Sequence, residues 1–355
     1  MLEQSKRFAL QGNPVTAVPY GNGHINRTFC VTTDTGRRYI LQGINSHVFP
    51  DADNLMRNIS LVTEHLRSRG ASPVLTVVPT LDGRPYDRDE EGRPWRVLEF
   101  IEGGICLERA ETENDFYQSA VAFGRFQRML RDFPAAELTE TIPRFHDTPK
   151  RYADFRKAVQ EDRMGRAAGV KEEIAFALAR ESEADSITAK LKNGTLPLRV
   201  THNDTKLNNV LLDKDTGEPL CVIDLDTVMP GAAAYDFGDS IRFGANTASE
   251  DEKDLSRVSL SLPLYEAYAR GFLSECGEGM GMEELMSLRM GAKLMTLENG
   301  IRFLADYLEG DVYYSISRPE HNLDRCRTQL TLVKDMERKW DAMGDILLRI
   351  KKAGA

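Results

Sequence analysis

Residues 201–213, THNDTKLNNVLLD, combine chemically active side chains at the start of an apolar segment. His202, Asp204 and Asn209 have the spacing His-x-Asp-x-x-x-x-Asn, and an apolar stretch ends on Asp224, fifteen residues after Asn209. Phosphoryl transfer from a magnesium nucleotide requires a carboxylate that orients and deprotonates the attacking hydroxyl, together with oxygen ligands for the metal. We therefore predict that Asp204 is the general base and that Asn209 and Asp224 hold Mg²⁺.

Three neighbouring side chains extend this hypothesis. Lys206 is expected to place its ammonium on the transferring phosphate, where charge is shared in the transition state. His202 is expected to orient the loop by hydrogen bonding, and Asp226 stays open between a further metal or substrate group and a cap. The alternative for the whole loop is a polar turn, because Asn and Asp bond their own backbone in turns. The VIDLD segment downstream favours the kinase interpretation.

The elements that must position these residues differ between the two halves of the chain. Up to residue 101 the sequence predicts short strands rich in β-branched and aromatic residues, interrupted by one amphipathic helix at 51–70. Beyond residue 102 the pattern is helical, near 113–131, 150–190, 255–275, 283–309 and 320–350. We predict an α+β fold with a small β-rich lobe, residues 1–101, and a larger, mostly helical lobe, residues 102–355.

Residues 198–226 are the strand-like island within the helical half. They predict a strand, a loop, a short strand, a turn at 213–217 and a further strand. The candidate catalytic loop lies inside this island.

Two segments of the first half are candidates for holding a nucleotide. Gly21 and Gly23 stand between two predicted strands, where backbone amides could close over phosphates, although most such turns are ordinary hairpins. VLEFIEGG is the predicted crossover between the lobes, with backbone groups from Glu99 to Ile101 bonding adenine. A buried edge strand with an exit loop describes the same residues equally well.

Composition limits the classes of partner. The formal charge of −9 argues against a general nucleic-acid binder. Five scattered cysteines without a CxxC pair predict neither a disulfide framework nor a zinc site. The polar first residues and the lack of a membrane-length apolar run predict a cytoplasmic protein.

The spaced motifs resemble those of the aminoglycoside phosphotransferase and choline kinase family, whose members share a protein-kinase-like bilobal fold. More narrowly, the segments YGNGHINRTF, RRYILQGIN, HNDTKLNNVLLD, VIDLDTVMPG, YDFGDSIR and GIRFLADYLEGDVYY resemble members that phosphorylate the anomeric hydroxyl of N-acetylglucosamine or N-acetylgalactosamine. That resemblance implies ATP and Mg²⁺ as cofactors and Asp204 as the base. It also implies sugar contacts by His24, Thr227, Arg302 and Tyr313.

One residue departs from the protein-kinase pattern. Protein kinases place a lysine on the third strand to grip the α and β phosphates, whereas this chain has Gln42 there. Gln42 is expected to donate a hydrogen bond to the nucleotide, and Glu64 on the following helix loses its usual ion-pair partner. Nucleotide binding is then expected to depend more on Mg²⁺ and Lys206.

Arg302 has two interpretations. It lies beside the apolar stripe of its helix with Glu298 and Asp306 four residues to either side, which suits a surface ion-pair ladder. The resemblance instead favours contact with sugar hydroxyls, which match a planar donor fork. Tyr313, in a loop after Gly310, could pack on a sugar ring or fill the core.

Two rival functions remain. A choline, ethanolamine or other amino-alcohol kinase would use acidic and aromatic residues as a cation cage. A non-catalytic nucleotide or sugar sensor would explain Gln42. The correctly spaced Asp204, Asn209 and Asp224 weigh against the sensor, because binding alone does not require a base.

Overall fold

The N-terminal part of the chain forms one antiparallel sheet in a computed structural model that describes residues 1–21 and 25–354. The strand order is β1-β2-β3-β6-β4, and β5 also pairs with β6. The strands are β1 (Pro14–Pro19), β2 (Arg27–Thr33), β3 (Arg38–Gly43), β4 (Val77–Val78), β5 (Asp87–Arg88) and β6 (Pro94–Glu99). A short helix, α1 (Leu2–Ser5), precedes them.

Alternating side chains give this sheet two apolar faces. Val31, Leu41 and Val97 are fully buried on one face, where they pack with Trp95. Gly43 is required beside this cluster, because a Cβ atom there would lie 2.9 Å from the Trp95 ring.

The helix α2 (Ala52–Ser68) packs on the other side of the sheet. The Asp51 side chain caps it by accepting from the Asn54 N–H, and it ends before Gly70, whose φ of +84° suits glycine. Its stripe of Leu55, Ile59 and Val62 is fully buried. This stripe belongs to a cluster that includes side chains from the helical half, so α2 connects the sheet to the region of the predicted catalytic loop.

The rest of the chain is largely helical. Its helices are α3 (Glu113–Met129), α4 (Thr148–Glu161), α5 (Lys171–Leu178), α6 (Thr188–Lys192), α7 (Ala233–Gly244), α8 (Leu262–Cys276), α9 (Met282–Glu309), α10 (His321–Arg338) and α11 (Trp340–Lys352). The predicted helical segment 150–190 is therefore three helices, and the segment 320–350 is two. The helix α7 was not predicted. Within the described ranges, no helix is both long and apolar enough to cross a bilayer.

Short strands of the helical half frame the candidate site. They are β7 (Gly104–Ile105), β8 (Arg199–Thr201), β9 (Val210–Asp213), β10 (Pro219–Val222) and β11 (Met229–Gly231). They form the antiparallel ladders β10-β9-β7 and β11-β8. The predicted strand island is confirmed, including the turn in which the Gly217 N–H donates to the Asp213 carbonyl at 2.8 Å.

The helices α7 and α9 cross at very close range. A Cβ atom on Gly238 would lie 2.3 Å from the Gly291 carbonyl oxygen, and one on Gly291 would lie 2.0 Å from that of Ala234. Only glycine permits this approach, which holds α7 firmly beneath the loop between β8 and β9.

Candidate active site

The loop between β8 and β9 carries the predicted catalytic residues, and His202 anchors its start. The buried His202 ring meets the edges of Phe123 and Phe126, at centroid distances of 5.4 and 6.1 Å. Its Nδ1 accepts from the Asp204 N–H at 3.3 Å, so its Nε2 carries the proton and donates to the Ile223 carbonyl at 2.8 Å. His202 therefore orients the loop, as predicted.

Asp236 on α7 fixes the backbone of the same loop. Its carboxylate accepts from the N–H groups of His202 (3.0 Å) and Asn203 (2.8 Å) and from Gln127 Nε2 (2.7 Å). Asn203 has a φ of +65°, and these bonds stabilise that conformation. Burial raises the pKa of Asp236. We did not assign it a role from the sequence, although an acidic residue within the largely apolar stretch AAYDFG of α7 was the available signal.

Asp239, one turn further along α7, continues this support. It accepts from the Thr205 N–H at 3.0 Å and pairs with Arg242, which also pairs with Glu250 at 2.7 Å. Burial alone would raise the pKa of Asp239, but the charges of Arg242 and Lys206 hold it below its usual range. A line of alternating charges, of which Asp239 and Arg242 are buried, therefore leads away from the predicted base.

Asp204 lies at the centre of the loop with both carboxylate oxygens engaged. Oδ1 lies 2.8 Å from Lys206 Nζ, and Oδ2 accepts from Asn209 Nδ2 at 3.0 Å. Burial opposes the charge of Lys206, but the carboxylates of Asp204 and Asp239 raise its pKa. The structure thus brings the predicted base, lysine and asparagine into direct contact.

Asp224 is joined to this loop through the backbone on either side of Ile223. The Ile223 N–H donates to the Asn209 carbonyl at 2.9 Å, and the Ile223 carbonyl accepts from His202. Asp224 has a φ of +58° and is exposed. Desolvation by the surrounding protein, with the charges of Asp226 and Asp204, raises its pKa to about 6.

The available oxygen atoms fit a hard divalent cation. Asn209 uses only its Nδ2 in hydrogen bonds, so its Oδ1 has no partner within the described part of the chain. Burial and the nearby carboxylates raise the pKa of Asp224, and a bound cation would offset both effects. The described residues contain no group of three or more His, Cys, Asp or Glu that could hold a metal by itself. Phosphate oxygens of a nucleotide would therefore have to complete the coordination.

The Gln42 amide, which we expected to donate to the nucleotide, is hydrogen-bonded within the protein. Its Oε1 accepts from Arg96 Nε (3.0 Å) and Nη2 (2.8 Å), and its Nε2 donates to Thr28 Oγ1 at 3.2 Å. Arg96 in turn pairs with Asp226 at 2.5 Å. The glutamine amide is thus engaged in positioning a buried arginine that we did not recognise from the sequence. Glu64, the former ion-pair candidate, is exposed.

The remaining nucleotide candidates lie at the ends of β1 and β6. Gly21 has a φ of +74° and open space where a Cβ would lie, whereas Gly23 lies outside the described residues. The Glu99 N–H donates to the Thr76 carbonyl at 2.9 Å, and the expectation that backbone groups from Glu99 to Ile101 bond adenine stays a prediction. Ile101 lies outside the strands, and its backbone groups have no hydrogen-bond partner in the described ranges. Ile101 therefore remains the better candidate.

Arg302 is not part of a surface ladder. Glu298 is buried and bonds His146 Nδ1 (3.1 Å) and Thr148 Oγ1 (2.6 Å), and Asp306 bonds the backbone of residues 312–314. The Arg302 guanidinium lies among three aromatic rings, with no carboxylate within 4.0 Å in the described part of the chain. The rings are those of Phe145 (5.8 Å), Tyr313 (5.9 Å) and Tyr314 (5.5 Å).

The other predicted sugar contacts differ in accessibility. Thr227 is buried, and its hydroxyl donates to the His202 carbonyl at 2.6 Å, so it supports the loop and is not a free donor. Tyr313 is 67% exposed and accessible to a ligand. His24 lies outside the described residues.

Comparison with known proteins places this arrangement in a family. Residues 16–272 match the model of the phosphotransferase enzyme family. Similar solved structures include a microcompartment-associated aminopropanol kinase (18% identity, TM-score 0.63, covering 97% of both chains). Choline kinase from Cryptosporidium parvum matches with 14% identity and a TM-score of 0.56, covering 94% of this chain and 92% of that one. Amicoumacin kinase, solved with AMP-PNP and Ca²⁺, matches with 14% identity and a TM-score of 0.62, covering 95% and 92%.

These identities are low, so the structural likeness shows the fold alone: a protein-kinase-like, bilobal α+β fold, as predicted. The family match extends over more than half of the sequence and includes Asp224 as well as the loop that bears Asp204 and Asn209. The chain therefore belongs to the phosphotransferase enzyme family.

Proposed function

We propose that this chain is an N-acetylhexosamine 1-kinase that uses ATP and Mg²⁺ to phosphorylate the anomeric hydroxyl of N-acetylglucosamine or N-acetylgalactosamine. Residues 1–101 would hold the nucleotide, and residues 102–355 would supply the catalytic loop and the sugar site. The observation that carries the proposal is Asp204, held between Lys206 and Asn209 by a loop that α7 fixes at several backbone N–H groups.

The reaction is a direct in-line transfer. The anomeric hydroxyl gives its proton to the Asp204 carboxylate while its oxygen bonds to the γ-phosphorus and the bond to ADP breaks. Lys206 Nζ lies 2.8 Å from Asp204 Oδ1 and would balance charge on the transferring group. Asn209 Oδ1 and Asp224 would hold Mg²⁺, which when bound neutralises phosphate charge. Ile101 and the segment around Gly21 and Gly23 would hold the nucleotide.

Arg302 supports a sugar acceptor. A half-buried guanidinium without a carboxylate partner can bind ligand hydroxyl oxygens with its donor fork. Tyr313 and the neighbouring rings offer apolar faces on which a sugar ring can pack. His146 Nε2 is buried and unpartnered nearby, which leaves a further polar atom for the acceptor.

An amino-alcohol kinase is the second candidate, because similar structures include aminopropanol and choline kinases. The acceptor side offers evidence against it. A cationic substrate would meet Arg302, a positive charge that no carboxylate of the described residues pairs with at close range, and like charges repel. A non-catalytic sensor would not require Asp204, because binding alone does not need a base.

A substrate panel separates these functions. The protein is incubated with ATP, Mg²⁺ and N-acetylglucosamine, N-acetylgalactosamine, glucose, choline, ethanolamine or aminopropanol, and phosphorus NMR identifies the ester. We expect a hexosamine 1-phosphate. A phosphorylated amino alcohol would replace the sugar assignment, and nucleotide binding without any phosphorylated product would favour the sensor.

A further inference from the structure

A buried ion pair joins the N-terminal sheet to the segment that follows Asp224. Arg96 on β6 pairs with Asp226 at 2.5 Å, and their side chains are only 2% and 3% exposed. Leu225 between the two aspartates is also buried, in the cluster that includes α2. The exposed Asp224 carboxylate is therefore carried by a segment whose next two residues are fixed against the N-terminal half.

Each partner of the pair is held from a second side. Gln42 Oε1 accepts two N–H groups of Arg96, while Asn26 Nδ2 donates to the other Asp226 oxygen at 2.6 Å. Asn26 lies between β2 and the segment that contains Gly21 and Gly23, called here the glycine segment. Its Oδ1 accepts from the Asn45 N–H at 3.1 Å. The pair thus connects β3, β6 and the end of the glycine segment to the Asp224 segment.

We propose that the Arg96–Asp226 pair is a positioning device for the nucleotide reaction and replaces the lysine–glutamate pair of protein kinases. That pair is absent here, because Gln42 occupies the lysine position and Glu64 is exposed. The inference rests on the proposed function and deepens it. Arg96 sets where Asp224 lies relative to β3, β6 and Asn26.

The geometry also assigns a role to Asp226. Both of its oxygens accept hydrogen bonds inside the protein, so it holds the segment in place and is not a free metal ligand. Removing the pair would displace Asp224 without removing any atom that binds the cation. Residues that position metal ligands commonly affect metal affinity about ten- to a hundredfold when mutated.

Positioning and simple stabilisation can be distinguished with a double variant. Arg96→Met alone leaves the Asp226 charge buried and unpaired, which destabilises the protein. Adding Asp226→Asn removes that charge and keeps an acceptor for Asn26, so the thermal midpoint should recover most of the loss. We expect the affinity for Mg·ADP, measured by calorimetry, to stay about tenfold or more below wild type in the double variant. The affinity for ADP without Mg²⁺ should change little.

The matched control is Arg180→Met, which breaks a partly buried ion pair with Glu337 in the helical half, formed at 2.6 Å. It should lower the thermal midpoint without changing Mg·ADP affinity. If the double variant does not fold, Arg96→Lys keeps the charge but not the two bonds to Gln42, and we expect weaker Mg·ADP binding at a near-normal midpoint.

The outcomes are distinct. Wild-type Mg·ADP affinity in the folded double variant, or in Arg96→Lys where that variant is used, would show that the pair is merely structural and would overturn the inference. Equal losses with and without Mg²⁺ would overturn it too. A wild-type protein that binds no nucleotide would instead refute the proposed function.

Discussion

Asp204 is the proposed acceptor of the substrate proton, so a neutral replacement should slow the reaction. Asp204→Asn keeps the size of the side chain but cannot accept the hydroxyl proton. We expect kcat to fall by about a hundredfold or more, with Mg·ATP affinity roughly intact. Steady-state kinetics and calorimetry measure the two quantities. Asp215→Asn, on an exposed turn, is the matched control and should behave as wild type. Full activity of Asp204→Asn would remove Asp204 from its role.

Arg302 determines how the acceptor is held. Arg302→Ala removes a guanidinium that contacts aromatic rings and no carboxylate in the described ranges. We expect the acceptor KM to rise about tenfold or more, as for loss of charged hydrogen bonds, while the ATP KM changes little. The control is Arg257→Ala, an exposed arginine paired with Glu252 at 2.9 Å. Equal changes in both KM values would argue against acceptor contact.

Arg302 and Gln42 show that the spacing of residues along the sequence does not identify their partners in the fold. The local spacing of Arg302 suited a surface ladder, but α9 is buried along most of its length and both candidate carboxylates are engaged elsewhere. Gln42 was correctly recognised as a departure, yet its partner Arg96 lies 54 positions away. Contacts of that separation arise from strand pairing, which a local pattern does not encode.

The crossing of α7 and α9 is the element-scale support of the catalytic loop. Gly291→Ala would place a Cβ atom 2.0 Å from the Ala234 carbonyl oxygen, so the two helices must separate. We expect a loss of about 1–3 kcal/mol in the free energy of unfolding, typical of overpacking, together with a lower kcat. Urea unfolding and steady-state kinetics test both effects.

Gly169→Ala provides the comparison for that substitution, because nothing lies within 4 Å of the Cβ position there. It should leave both stability and kcat near wild type. A lower stability with unchanged kcat in Gly291→Ala would mean that α7 can shift without moving the loop.

Element prediction succeeded where a single apolar face defined the period. The strands β2 and β3 and the helix α2 were anticipated closely, because alternation or a helical stripe marks each of them, and β6 was anticipated from its apolar and aromatic composition. The helix α7 was missed since it is buried on every side and contains two glycines, which leaves no polar face to define a period. The strand pairs β8–β11 and β7–β9 each involve three residues or fewer, too few for a pattern.

At the scale of the whole molecule, the two-lobe α+β prediction is confirmed, because composition changes sharply near residue 101 and the strand island interrupts the helices once. The boundary at that residue remains a prediction. The sequence did not predict which residues join the two halves. The junction depends on α2 and on the Arg96–Asp226 pair, both of which connect residues more than one hundred positions apart.

The stability of the helical half should depend on acid through Asp335. This buried carboxylate at the end of α10 accepts from the Leu260 N–H at 2.7 Å, Ser259 Oγ at 2.8 Å and Lys339 Nζ at 2.8 Å. Burial alone would raise its pKa, but these bonds lower it from 3.8 to about 2. A carboxyl with a lowered folded pKa stabilises the protein above its unfolded pKa, and that contribution is lost as pH falls through the folded one.

Asp335→Asn removes that contribution, because an amide cannot accept all of these donors. We expect its urea midpoint to lie below wild type at neutral pH and the difference to shrink as pH falls between 3.8 and about 2. Asp185→Asn, an exposed residue, should show no difference at any pH. A wild-type to Asp335→Asn difference that stays constant down to that acid range would mean that the bonds to residues 259 and 260 do not depend on charge. The acid sensitivity of the helical half would then have to originate in another carboxylate.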